Sequence, residues 1–316
     1  MSVWFKTAVR CCAQLVHMTS PDIQAAEQFL AANARVLERR KFERAFRGGD
    51  AGPVRDAVAA YRNPDGGFGH ALEPDGRSPG SQSLAIDFAL RSLLDYGAWD
   101  TALAEGACAW LAAHAPAEGG AAFVDPSIEG WPHAPWWVPE AGGPASPICT
   151  ALLAGTLHAA AAVKGDGEAG GGAEHPWLRQ ATELVWARID ALGEVGPYDM
   201  RALFWFLDHV PDRDRARAAM DKIGPVIFER DLVTLDPATP GEIHVPLDFA
   251  PLPDSLARGL FDRQVIDTGL DHLATSQQPD GGWTVNWMAW SPAAEREWRG
   301  HATVEALRTL RANGRC

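Results

Sequence analysis

Apolar residues recur at helical spacing along almost the whole chain. Ile86, Ala89, Leu90, Leu93 and Leu94 share one face of a 3.6-residue spiral, and Leu103, Ala107, Trp110 and Leu111 share another. Ser146-Pro147 reads as a cap followed by a first-turn proline and opens a helix predicted to run to Gly165; Pro176 opens the next, predicted to close at Gly193. Met200, Leu203, Phe204 and Leu207 face one way until Pro211 stops them. Further stripes cover roughly residues 22–46, 53–61, 214–229, 264–275 and 297–312, the last ended by Asn313-Gly314. No segment alternates with the period of two that a half-buried strand requires. The pattern predicts an all-α chain of about ten to twelve helices, including short ones near 254–261. Met18-Thr19-Ser20-Pro21-Asp22 reads as a start just before a capped helix. Residues 1–20 are therefore expected to be a frayed or over-annotated extension, and 21–316 a single domain.

Two turns near opposite ends of the chain are copies of one another. Thr275-Ser276-Gln277-Gln278-Pro279-Asp280-Gly281-Gly282-Trp283 has a weaker counterpart, Tyr61-Arg62-Asn63-Pro64-Asp65-Gly66-Gly67-Phe68, 215 residues earlier. Pro-Asp opens a turn, the paired glycines take backbone angles closed to other residues, and the aromatic packs over the start of the next helix. Gln278, Asp280, Gly281, Gly282 and Trp283 together resemble the QW repeat of triterpene cyclases, and more broadly the terpenoid cyclase and protein prenyltransferase superfamily. The resemblance implies a squalene-hopene-cyclase-like fold, a single α/α toroid, in which the glutamine and aspartate hydrogen-bond helix ends and the tryptophan stacks between barrel helices. Those roles are structural, so the resemblance speaks to fold before activity. A Gly-Gly pair at 119–120 and a glycine-rich patch at 170–172 lie between the two; four steps between the outer pairs would average roughly 54 residues, about two helices and two loops each. A two-helix repeat can close into a ring whose inner helices line a cavity and whose loops decide what enters it. Residues 165–173 read as a surface insertion.

Composition narrows the partners. With 316 residues, 47% of them hydrophobic, the chain can bury a large core. No apolar run reaches the ~18 residues of a membrane span. A net charge of −13 argues against nucleic acid and against charge-driven binding to anionic lipid. Five cysteines with neither metal-ligand spacing nor an even framework read as free thiols in a reducing, cytoplasmic compartment. His70, His133, His244 and His301 have no cysteine beside them in a zinc pattern, so no metal site is predicted; magnesium would enter only with a diphosphate substrate.

The chemistry suggested by the composition is aromatic. Of thirteen tryptophans, eight cluster at Trp131, Trp136 and Trp137, at Trp205 between Phe204 and Phe206, and at Trp283, Trp287, Trp290 and Trp298. An aromatic face stabilises a cation by roughly 0.5–2 kcal/mol, which suits carbocation chemistry. Trp137, Phe204, Trp205, Phe249, Trp287 and Trp290 are the candidate substrate-binding residues, with inter-helix packing as the plainer reading of each. Protonation-initiated cyclisation also needs a carboxylic acid kept neutral in an apolar site. Neither the Asp-x-Asp-Asp nor the Asp-Asp-x-x-Asp motif of terpene cyclases occurs, and no two aspartates are adjacent. Asp212-Arg213-Asp214-Arg215 reads as a helix start, and Asp254 as a helix cap. The remaining candidate acids are Asp248, in the proline-bounded Val245-Pro246-Leu247-Asp248-Phe249-Ala250-Pro251, and Glu73 and Asp75, which follow the first repeat beside Arg77. Asp248 reads equally as a turn cap, and Glu73 and Asp75 as loop ties to Arg77. The leading expectation is a non-standard, class II-like terpene cyclase acting on a linear isoprenoid. The alternatives are a non-catalytic toroid that binds an isoprenoid, another hydrophobic ligand or a partner, and a carbohydrate-active toroid.

Overall fold

The computed structural model describes residues 20–140, 142–163 and 175–316. Residues 1–19 of the extension and the insertion at 165–173 lie outside them; the helix opened by Ser146-Pro147, expected to run to Gly165, ends at Ala162. Every regular element among the described residues is helical: α1 (Ile23–Asn33), α2 (Val36–Phe46), α3 (Gly52–Ala59), α4 (Ser83–Asp95), α5 (Thr101–Ala113), α6 (Pro147–Ala162), α7 (Pro176–Asp190), α8 (Pro197–His209), α9 (Arg213–Ile223), α10 (Val226–Glu229), α11 (Pro246–Phe249), α12 (Arg263–Thr275) and α13 (Pro292–Ala312). Short 3-10 turns cover Pro126–Ile128 and Leu256–Leu260, and pairing of extended backbone is confined to two isolated bridges. No described helix is long and apolar enough to cross a membrane.

Prolines occupy the first turns of α6, α7, α8 and α13, where the missing N–H is no loss. The side chains of Asp22, Asp100, Ser146, Asp212 and Ser291 accept the first-turn N–H groups of α1, α5, α6, α9 and α13. Two predicted stripes divide. Residues 22–46 form α1 and α2, because Ala34 and Arg35 are extended and the Arg35 guanidinium leaves the helix to bond the carbonyls of Ala71 and Leu72. The 214–229 stripe breaks at Gly224-Pro225, where proline cannot donate. Asp254 is also not the cap it resembles: the N–H of Leu256 bonds Asp208 of α8, 2.7 Å away.

The core runs through the whole helical array. α6 is apolar on every side and is enclosed by α4, α7 and α8. Helix contacts run from α2 to α3, α4, α6, α8, α11, α12 and α13, and α13 packs in turn on α1 and α2. Gln277, just after α12, accepts the N–H of Asp22 (2.7 Å) and donates to its carbonyl (2.8 Å), which ties the start of α1 to the turn after α12. The N-terminal ends of α2, α4 and α13 lie together, since all three adjoin or bond the 61–82 loop, through Arg35, Gln82 and Glu297.

Both repeat turns have one hydrogen-bonding scheme. Asn63 N donates to Gly67 O and Gly66 N to Asn63 O, as Gln278 N does to Gly282 O and Gly281 N to Gln278 O; Asp65 and Asp280 each accept the N–H two residues on. The first glycine of each pair holds φ near +90°. A Cβ on Gly281 would also run into the carbonyl of Ala25 on α1. Gly281→Ala is accordingly expected to cost roughly 2–4 kcal/mol in urea unfolding, from backbone strain plus displacement of α1. The pair at 119–120 is different, with both residues at positive φ.

Candidate functional site

The 61–82 loop positions the acids. Past the first repeat turn, His70 and Ala71 both adopt left-handed backbone angles (φ 56° and 60°), an uncommon state for residues with a side chain. Two anchors hold it there: Arg35 Nη1 bonds the carbonyls of Ala71 and Leu72, both at 2.9 Å, and Gly76 pairs with His133 through an isolated antiparallel bridge. Gly76 permits the approach of Trp137, whose indole a Cβ would meet at 2.7 Å. Glu73-Pro74-Asp75 is thereby turned inward between three tryptophan-bearing segments.

Glu73 is buried, and its Oε2 accepts the N–H of Asp75 at 2.8 Å. Burial, and then the neighbouring charge of Asp75, push its pKa well above the usual carboxylate range; the Asp75 N–H, Arg35 and Arg77 oppose this. Asp75 accepts two indole N–H groups, Trp298 at 2.8 Å on Oδ1 and Trp136 at 3.0 Å on Oδ2. Desolvation raises its pKa as well, against those two hydrogen bonds and Arg77. Trp290 Nε1 reaches the Pro74 carbonyl at 3.3 Å, and Trp287 stands perpendicular to Trp298 at 5.3 Å. Against Glu73 lies a cavity of about 10 Å³, walled by Gly76, Gln82, Ile128 and Trp137. Outside it the apolar surface continues to solvent: Trp136 is 44% exposed and Met288 77%.

The chain matches no family model, no curated protein and no solved structure.

Of the residues singled out in the sequence, Glu73, Asp75, Trp137, Trp287 and Trp290 belong to this one site. The proposed tie to Arg77 is absent, because Arg77 turns instead to Glu297 at 2.9 Å. Asp248 lies elsewhere, half-buried in the single turn of α11, where its Oδ2 accepts the N–H of Val245 at 2.8 Å. Phe204 and Phe249 are buried against one another at 6.0 Å, and Trp205 packs under Arg91. No group of three or more metal-binding side chains occurs among the described residues.

Sequence reading missed Trp136 and Trp298, which hold Asp75, and a set of charged residues between the helices. Glu38 and Lys41 on α2, Asp87 on α4 and His301 on α13 are all buried or nearly so. A signal was available: Asp87, Arg91 and Asp95 recur every four residues in an otherwise apolar helix, as Glu297, His301 and Glu305 do in α13. Burial lifts the Asp87 pKa to about 6 and pushes that of His301 down to about 3, helped by the charge of Lys41. A depressed histidine pKa stabilises the fold above its unfolded value near 6.5 and is lost as pH falls toward 3. The stability that rests on neutral His301 should thus fall away below about pH 6.5, by on the order of 5 kcal/mol at the acid end, offset in part by Asp87, whose raised pKa acts in the opposite direction. In urea melts at successive pH values, His301→Gln should flatten that slope.

Proposed function

We propose that this chain is an α/α toroid of the terpene cyclase type, in which Glu73 is the proton donor to a linear isoprenoid and the surrounding tryptophans receive the cation. The observation that carries the reading is the burial of the Glu73 carboxyl beside Trp137 and next to Asp75, which two indoles hold; that burial raises the Glu73 pKa. The succession of helix contacts that returns to its start, and the two like-built repeat turns, support the ring. In the proposed step, the O–H bond of Glu73 breaks as its proton forms a C–H bond with the terminal alkene carbon. The π electrons make that bond, and the tertiary cation left behind meets aromatic faces and the Asp75 carboxylate. Proton loss from the final cation ends the reaction, and Glu73 is reprotonated from water.

Among the three acids, the geometry favours Glu73. Asp248 is only half-buried and already committed to a turn N–H, while both oxygens of Asp75 are taken by indoles. A second reading, binding without catalysis, is favoured by the cavity volume: about 10 Å³ admits roughly one water and not an alkyl chain. An isoprenoid would then lie on the exposed indoles. Incubating the purified protein with farnesyl, geranylgeranyl and squalene-type substrates, with and without magnesium, separates the two. Cyclic products detected by gas chromatography–mass spectrometry are expected; ligand binding with no product would leave only the second reading.

A further inference from the structure

Below the tryptophan rim the aromatic path continues between helices that do not pack on one another along their lengths. α4 packs chiefly against α3, α5 and α6. Even so, Phe88 of α4 meets Trp298 at 5.7 Å and His301 at 5.1 Å, both on α13. One turn further along α4, Arg91 lies over Trp205 of α8, with its guanidinium carbon 3.7 Å from the ring centre. Phe88 and Arg91 are both half-buried.

Arg91 makes no hydrogen bond or ion pair of its own among the described residues, although it has five N–H donors. Other arginines of this layer are committed: Arg35 to Glu38, Arg77 to Glu297, and Arg308 to Asp95 and Glu305. Of the acids one turn away on α4, Asp95 is held by Arg308 at 2.8 Å and Asp87 acts on Arg91 only through space, its Oδ1 buried without a partner. His209 and His301, which also feel the charge of Arg91, are biased toward the neutral form by burial and so add no competing cation. A stacked guanidinium without a protein acceptor is free to bond a ligand, and its planar fork matches a phosphate or a carboxylate.

We propose that Arg91 is the anchor for the anionic head of an amphiphilic ligand whose apolar body lies along Phe88 and Trp298 toward the rim. The inference rests on the reading of this layer as the ligand's place, and not on Glu73 as a proton donor. It also assigns a depth: Arg91 follows Phe88 by three residues, about 4.5 Å further along α4.

The test uses the full chain and three ligands with one tail, dodecyl phosphate, dodecanoate and dodecanol, in calorimetric titrations. One or both anions should bind at least about tenfold more tightly than the alcohol, the effect expected of a charge-assisted hydrogen bond. Which of them gains identifies the head as phosphate or carboxylate. Arg91→Gln should bring all three within about twofold of one another. Equal binding by the wild type, or an anion preference that survives in folded Arg91→Gln, would overturn the proposal. Should that variant fail to fold, phenylglyoxal modification of the wild type read by mass spectrometry decides: the preferred anion should protect Arg91 and dodecanol should not. Unaltered modification under saturating anion would contradict the anchor. Anion binding through Arg91 without any isoprenoid product leaves this inference standing and removes the cyclase reading. Cyclic products with no anion preference do the reverse.

Discussion

Glu38→Ala is expected to lower the stability of the fold by about 3–5 kcal/mol, the cost of leaving buried cations without their anion. Glu38 is fully buried and takes two bonds from Arg35, at 2.7 Å and 3.1 Å. Desolvation alone would raise its pKa; Arg35, Lys41 and His301 together hold it below the usual range. Truncation strands Arg35, which also braces the Ala71 and Leu72 carbonyls, and Lys41, whose own pKa burial already lowers. A lowered acid stabilises the fold above its unfolded pKa and ceases to do so as pH falls through the folded value. The deficit of Glu38→Ala should accordingly be large at pH 7 and shrink in acid. Urea unfolding at both pH values checks this. Glu38→Ala/Lys41→Met should recover part of the loss, because it removes a charge along with its partner.

Glu73→Gln is expected to lower turnover of an isoprenoid substrate by about 10²–10⁴-fold with little change in its binding, because glutamine keeps the shape and has no transferable proton. The amide can still accept the N–H of Asp75, the single hydrogen bond of the Glu73 side chain among the described residues, so the loop should hold. Asp75→Asn is different. An asparagine amide placed between two indole donors faces one of them with its own N–H, and a loss of about 1–3 kcal/mol in stability should accompany any loss of activity. Asp248→Asn should leave turnover within about twofold, since the asparagine oxygen can still take the Val245 N–H. Product yields and unfolding curves for the three variants separate a proton donor from two structural acids. An indispensable Asp248 would reassign the chemistry to α11.

The helical class and most helix bounds were legible in the sequence because apolar periodicity, caps and first-turn prolines are local signals. Ser146-Pro147 and Pro176 open α6 and α7 as expected. Where long-range bonds set a boundary the sequence was silent: the break at Arg35 depends on carbonyls of a loop far along the chain, and the 3-10 turn at Leu256 on Asp208 of another helix. The repeat turns were legible as turns from Pro-Asp-Gly-Gly, but only the first glycine of each pair takes the left-handed angle expected of both. The candidate site was legible in part. Glu73 and Asp75 stand out as acids beside a glycine-rich turn, but their indole partners, Trp136 and Trp298, come from segments 61 and 223 residues distant from Asp75. The buried charges of α2, α4 and α13 were hidden because a charged residue on a helix reads as solvated until its neighbours are known.

Proton donation by Glu73 requires that it be a neutral acid at physiological pH. Infrared difference spectroscopy of wild type against Glu73→Gln at pH 7 reads that state without any substrate. A protonated carboxyl C=O band present in the wild type and missing from the variant is the predicted result, and it should persist well above the pH at which exposed glutamates ionise, near 4.3. A difference spectrum showing only carboxylate bands at pH 7 would contradict it, and with it the assignment of Glu73 as the proton donor.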